Sequence, residues 1–493
     1  MNTLLATCIF ACGIAGLFYL DRDKTVRTSK ALWIPVIWIA IVGSRSVSEW
    51  FGVHHTGANA QLDGSGIDAA VFGILTVSAI IVLCFRNART RDFLVLNWPI
   101  LLYFFFCLIS VSWSDHPDVS FKRWIKAIGD LAMVLVIVTD RQPVTALTRL
   151  MSRVGFVLLP ASVLMIKYFG DLGHEYTPDG AQMNTGVSTN KNMLGVMLLV
   201  VTLFTLWRVI NIFRDKKMRD RRRHLVAQGV LLAFGILLFK MAHSATAIAC
   251  FALGGGLIIA SNLRSFRIRP VRIHALCLGI LFFGAVAFLS GAEGTVSEAL
   301  GRQANLSGRT EIWAAVIPAA PNALIGAGFE DFWISPNVEK FQRGLLGWWH
   351  PEGLNEAHNG YIETYLNLGV IGVCLIAMIL VIGYRRAVKA FRKNTQIGGL
   401  FLAYIIVSAV YSITEAGFRM LDPMWIFLLL AVVGASGVNA GLIGRKATKT
   451  VAARTDDGIK TLGKNEPDPG LEAIYASRGG SAMFKLARAN NPR

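Results

Sequence analysis

The stretch Glu356-Ala-His358-Asn359-Gly360-Tyr361 stands at a seam between two kinds of sequence. Upstream, residues 290–359 form a polar interval carrying Arg, Glu, Gly and Trp. Downstream, residues 360–383 run through Val, Ile, Leu and Met with Glu363 as their one charge. About 20 apolar residues in a helix cross the hydrocarbon layer of a bilayer, so the seam reads as the entrance to a membrane span. The same apolar pattern recurs on both sides of it.

Composition extends that reading to the whole chain. Of 493 residues 54% are hydrophobic and 16% charged, with 12 Trp and 29 Phe, and the mean hydropathy is +0.51. This is too apolar for a soluble protein of the same length and indicates a polytopic integral membrane protein. The formal charge of +18 flanks the apolar runs instead of forming a basic domain, which argues against a nucleic-acid partner. Cysteines 8, 12, 84, 107, 250, 277 and 374 all fall inside apolar runs and give neither metal spacing nor a disulfide framework. The first run begins at Met1 with no basic n-region, so it reads as a retained span, not a signal peptide.

The expected architecture is all-α, with about thirteen transmembrane helices. The runs are 3–20, 31–43, 67–85, 94–111, 125–139, 154–169, 192–213, 225–242, 245–261, 275–291, 360–383, 398–414 and 423–443. Basic residues cluster in alternate connections, including Arg86, Arg89 and Arg91, residues 214–223, and Arg385 to Lys393. By the positive-inside rule those connections are cytoplasmic. The expected organisation is a membrane domain over 1–444 with a large, partly helical external loop at 290–359, followed by a mostly disordered cytoplasmic tail over 445–493.

Several polar clusters lie at the external ends. His54 and His55 lack further ligand spacing and read as an exposed loop. Lys122 and Lys126 share a helical face with Arg123 beside them, and either snorkel to headgroups or line an anion site. Lys191, between Asn190 and Asn192, suits either a helix cap or a phosphate. In the long loop, Arg309 offers charge-assisted hydrogen bonds to phosphate oxygens. Trp348, Trp349, Glu352 and Glu356 suit sugar rings and hydroxyls, although Trp near a bilayer is also an interfacial anchor. Glu330 and Asp331 follow the Gly-rich turn Gly326-Ala-Gly328 and are further candidates to orient sugars. His358 can accept a proton from a hydroxyl, with Tyr361 on the same helical face.

Three segments together, Ser307-Gly-Arg309-Thr-Glu-Ile-Trp313, Gly326-Ala-Gly-Phe329 and Ala357-His358-Asn359-Gly-Tyr-Ile-Glu-Thr-Tyr-Leu-Asn-Leu-Gly369, resemble the O-antigen ligase and bacterial polysaccharide polymerase family. Within that family the chain is most similar to exopolysaccharide repeat-unit polymerases of the succinoglycan type. Thr189-Asn-Lys191-Asn192-Met-Leu-Gly195 is similar to a further family motif, with a looser match at Gly186-Val-Ser.

The resemblance implies a GT-C-like, metal-independent inverting glycosyltransferase of the bacterial inner membrane, using no cofactor. It would join undecaprenyl-diphosphate-linked oligosaccharide repeat units on the periplasmic face, with membrane lipids, a flippase and a chain-length regulator as its companions. His358 would then be the base for the acceptor hydroxyl, and Arg309 would bind the lipid diphosphate, assisted by Arg123, Lys191 and Lys122. Glycan contacts would come from Trp348, Trp349, Glu352, Glu356 and Tyr361. Two alternatives stand beside this reading. One is an O-antigen ligase transferring the lipid-linked glycan to lipid A-core or another acceptor. The other is a polysaccharide transporter or flippase, which the scarcity of charges within spans and the lack of an internal repeat disfavour.

Overall fold

The computed structural model describes residues 2–23, 28–53, 65–176, 180–268, 271–289, 309–335 and 356–444. Trp348, Trp349, Glu352, His54, His55 and the tail from residue 445 lie outside this set, as does most of the 290–359 loop. The apolar runs form helices because a chain in hydrocarbon must satisfy its backbone groups internally. In chain order the helices are α1 (Thr3–Leu20), α2 (Trp33–Val42), α3 (Val47–Trp50), α4 (Gly66–Phe85), α5 (Asn87–Leu96), α6 (Trp98–Ser110), α7 (Pro117–Val138), α8 (Pro143–Tyr168), α9 (Gly170–Gly173), α10 (Lys191–Arg214), α11 (Arg221–Ala242), α12 (Ala245–Asn262), α13 (Arg264–Ile268), α14 (Val271–Leu289), α15 (Arg309–Val316), α16 (Gly360–Lys393), α17 (Thr395–Thr414) and α18 (Pro423–Ala440). An antiparallel pairing of His174–Tyr176 with Gln182–Asn184, His174 opposite Asn184, is the one sheet among the described residues.

Nine of the described helices are long and apolar enough to cross a membrane, or ten if the bent pair α5–α6 is one span. The molecule is therefore a multi-pass helical membrane bundle. The other expected spans coincide with helices of different character. Residues 31–43 and 275–291 give the shorter apolar helices Lys30–Val42 and Val271–Phe282. Residues 125–139 belong to α7, which begins earlier and carries Asp118, Lys122, Arg123, Lys126 and Asp130.

The expected run 94–111 is broken at Asn97, where α5 and the helical stretch Trp98–Trp113 meet at 84°. Trp98-Pro99 starts a new helix there, and the Arg386 guanidinium takes up the freed acceptors, donating to Leu96 O at 2.7 Å and Asn97 Oδ1 at 2.8 Å.

Helices α10, α17 and α18 form the centre, with 72%, 83% and 89% of their apolar stretch buried, against 11% for α1. Hydrogen bonds sort the connections into two ends. At one end Arg86 and Arg89 donate to carbonyls of Val136 and Asp140, and Lys393 to Asn439 O. At the other, Arg45 donates to Ser188 O, Asn184 to Met241 O, and Thr414 to Thr246. The polar loops carrying the candidate residues gather at this second end.

One break positions them. Helix α16 is interrupted at Gly369, whose φ of 63° and ψ of −165° are non-helical. The carbonyls of Leu366 and Asn367 consequently lose their helical partners, and the amides of Ala327 and Gly328 donate to them at 3.0 and 2.9 Å. On the other side of the break, Val370 and Ile371 donate to Ala323 O and Leu324 O. Residues 323–328 thus complete a broken helix, pairing two of the carbonyls and two of the amides at the break. Glycine is required because a Cβ at Gly326 would stand 2.3 Å from Asn367 C and one at Gly369 2.2 Å from Leu324 C.

Candidate active site

Asn359 is the N-cap of α16, its side chain accepting from the amides of Tyr361 and Ile362. Its Nδ2 donates to Ile413 O, and the Gly360 amide donates to Glu415 O at 3.0 Å. A Cβ at Gly360 would lie 2.9 Å from Ser412 Cβ, so glycine permits this close crossing. The residue before the cap, Ala357, is held on both sides. Its amide donates to Glu363 Oε2 at 2.9 Å and its carbonyl accepts from Trp313 Nε1 at 2.7 Å. These contacts force His358 into the left-handed region, at φ 48°. Five described non-glycine residues have positive φ, and Glu330, His358 and Leu421 all lie on the loops that meet here. Strain of this kind costs roughly 1–3 kcal/mol and persists where surrounding contacts overdetermine the backbone.

The side chains alternate in charge. His358 Nδ1 lies 2.7 Å from Glu356 Oε1 and 3.7 Å from Glu415 Oε2. The shorter approach is misaligned for a hydrogen bond and is an ion-pair contact. Each glutamate turns its other oxygen to a guanidinium: Arg309 Nη2 to Glu415 Oε1 at 3.0 Å, and Arg419 Nη1 to Glu356 Oε2 at 3.2 Å. Arg309 also donates to Thr414 O, a carbonyl at the C-terminal end of α17 where the helix supplies no donor of its own. Arg419 reaches on to Glu330 Oε2 at 3.5 Å. Asn192, in the first turn of α10, donates to Glu415 Oε2 at 3.3 Å.

Burial works against the imidazolium of His358, but the contacts and charges of Glu356 and Glu415 outweigh it and raise its pKa to about 9. Burial likewise opposes ionisation of Glu356, yet His358, Arg419 and Arg309 bring its carboxyl down to about 2. Arg419 is penalised by burial and more than restored by Glu330, Glu363 and Glu356, which hold it above the ordinary arginine value.

The structure therefore brings together His358, Arg309 and Glu356. Arg123 joins from α7, donating to the Glu330 carbonyl. Lys122 points elsewhere, paired with Asp118 at 3.5 Å on an exposed face. Lys191 opens α10 next to Asn192. Tyr361 packs as a structural group: its hydroxyl donates to Ala409 O at 3.0 Å and its ring meets Phe418 edge-on. Glu356 forms ion pairs with His358 and Arg419. Asp331 accepts from the Asp115 amide and contacts His116 Nδ1 at 3.1 Å.

Glu415 and the site role of Arg419 are absent from the sequence reading. Their signal is a carboxylate and a guanidinium four residues apart in the short connection between two apolar runs, where unpaired charges are costly.

Nδ1 of His358 and one oxygen from each of Glu356 and Glu415 lie within 4.8 Å of one another, a spacing that could hold a metal ion. Arg309 and Arg419 already occupy the outer carboxylate oxygens, so a dication would face two guanidiniums. A proton on His358 meets the same two carboxylates with less repulsion.

Residues 229–377 match the family model described as O-Antigen ligase. Over 385 residues the chain is 26% identical to the Exopolysaccharide production protein ExoQ of Rhizobium meliloti (strain 1021), covering 75% of this chain and 84% of that protein. The chain is thus similar over part of its length to the O-antigen ligase family and, at lower identity over most of it, to an exopolysaccharide production protein.

Proposed function

We propose that the chain transfers a glycan from a lipid diphosphate to an acceptor hydroxyl, as an O-antigen-ligase-type enzyme of the bacterial inner membrane with its site on the periplasmic face. The observation that carries this reading is the His358–Glu356–Glu415 cluster flanked by Arg309 and Arg419. It puts a proton acceptor beside two fixed cations, the combination that transfer from a diphosphate requires. The acceptor hydroxyl loses its proton as it attacks the anomeric carbon, and neutral His358 receives it. The anomeric C–O bond breaks with its electron pair on the diphosphate, whose added charge Arg309 and Arg419 stabilise. Arg123 and Lys191 are more distant cationic companions. Attack from the face opposite the leaving group inverts the centre without a glycosyl-enzyme intermediate, and the all-helical scaffold suits a GT-C-like class.

Two guanidiniums take the place that a metal would have at the diphosphate, so transfer is expected to proceed at an unchanged rate in EDTA. The family description favours a ligase. A second reading, polymerisation of repeat units, is supported by the relative named for exopolysaccharide production and by its coverage of most of this chain. Purified protein supplied with an undecaprenyl-diphosphate-linked glycan separates them. Transfer to a distinct acceptor marks a ligase, and a ladder of growing lipid-linked glycans marks a polymerase. Absence of both, with donor bound, would refute glycosyl transfer.

A further inference from the structure

Asp130 lies on α7, makes no salt bridge among the described residues, and is fully buried. A buried carboxylate is costly unless its oxygens are satisfied. Here both are: Oδ1 accepts from Trp38 Nε1 at 2.9 Å and Oδ2 from the Leu421 amide at 2.9 Å. Trp38 itself is fully buried and approaches over Gly129, where a Cβ would stand 2.3 Å from the indole. The carboxylate is thus fixed from the α2 side and holds a backbone amide on the other.

The residue it holds matters. Leu421 is one of the strained left-handed residues, at φ 56°, and it closes the short connection between α17 and α18 that carries Glu415 and Arg419. Two turns earlier on the same face of α7, Arg123 donates to the carbonyl of Glu330, which is the other partner of Arg419. Helix α7 therefore holds both the loop whose Glu330 pairs with Arg419, through Arg123, and the loop that carries Glu415 and Arg419, through Asp130.

We infer that Asp130 is a positioning residue for glycosyl transfer, setting through the Leu421 amide the register of the loop that presents Glu415 and Arg419 to His358 and Glu356. The inference rests on the function proposed above. Asp130 touches no reacting atom. It acts on the groups that face the imidazole, which are Glu356 on its own segment, Glu415 on the α17–α18 loop, and Arg309 and Arg419 behind those carboxylates.

The test is Asp130→Asn in the full-length protein, with Asp130→Glu as a second variant that keeps a carboxylate on a longer arm. An amide presents an N–H to one of two N–H donors, so Asn can keep only one of the contacts. A loosened loop is expected to lower kcat about tenfold or more, since small misplacements of catalytic groups cost this much, with donor KM little changed. Contact with Glu415 would weaken, and the acid limb of the kcat/KM profile should move about one pH unit lower. Wild-type kcat and an unmoved limb in folded D130N or D130E would overturn the inference, as would failure of both variants to yield folded protein, which assigns Asp130 to stability alone. Failure of the underlying reading looks different: His358→Ala would then transfer at the wild-type rate whatever Asp130 does.

Discussion

At the scale of single residues, the pairing of His358 with Glu356 and Glu415 decides the pH behaviour. The base must be neutral to accept a proton, while its carboxylate neighbours hold the imidazolium to about pH 9. The expected kcat/KM rises tenfold per unit up to that region and then levels. Glu356→Gln removes the nearest carboxylate, so the rise should end about one to two pH units lower, and His358→Ala should lose about 10²–10⁴-fold in transfer at constant expression. Stability carries the opposite signature. His358, raised from 6.5, stabilises the fold fully below pH 6.5 and loses that contribution as pH rises through 9. Glu356, lowered from 4.5, contributes above pH 4.5 and loses it as pH falls toward 2. Thermal melts in detergent should therefore show the pair's contribution at its plateau between 4.5 and 6.5, and a Glu356→Gln variant should flatten both flanks. The motifs that carry His358 and Arg309 are local, so both candidates could be picked out of the sequence, and the fold brings them together. Glu415 could not, because its partners are more than 50 residues away, and the sequence does not show that the aligned face of Tyr361 is turned to Phe418.

At the scale of elements, the break in α16 is the feature that an apolar run conceals. Hydropathy cannot distinguish a continuous span from one interrupted at Gly369, since the interruption changes no side-chain polarity. What betrays it is the complementarity of two backbones, with residues 323–328 supplying the donors and acceptors that the helix gives up. Gly326-Ala-Gly328 looked like a turn bearing acids, and it is also the edge that pairs with the break. A methyl group at Gly369 or Gly326 would meet main-chain atoms, which cannot rotate away, and would occupy a left-handed φ. Gly369→Ala and Gly326→Ala should each cost several-fold in folded yield, with about 1–3 kcal/mol from backbone strain alone. Gly73 and Gly229 sit in helices with open space at the Cβ position. Their alanine variants should be neutral or slightly stabilising, by about 0.5–1 kcal/mol. Equal losses at all four sites, measured by size-exclusion yield and thermal midpoint, would contradict the pairing of the two backbones.

At the scale of the whole molecule, the alternation of loop charge and the hydrogen-bonded sorting of loops into two ends are independent observations that agree. The apolar runs made the bundle legible. Its bends at Asn97 and Gly369 and the charged entrance of α7 were not, because each depends on a partner from another helix. The basic end is more than a topological signal: Arg86, Arg89 and Arg386 donate to carbonyls freed where helices stop or bend, so their charge is anchored at that surface. By the positive-inside rule this end is expected to be cytoplasmic, and under the proposed function the His358 end would then face a donor whose glycan has already crossed the membrane. Asp118 and Arg219 are exposed at the two ends, with side chains 73% and 82% accessible. In intact cells with a permeable outer membrane, an impermeant maleimide should label Asp118→Cys above the wild-type background. Arg219→Cys should be labelled only after the inner membrane is opened. The reverse pattern would put His358 on the cytoplasmic side, where a glycan still awaiting translocation is the available donor, and would remove the proposed reaction from the periplasmic face.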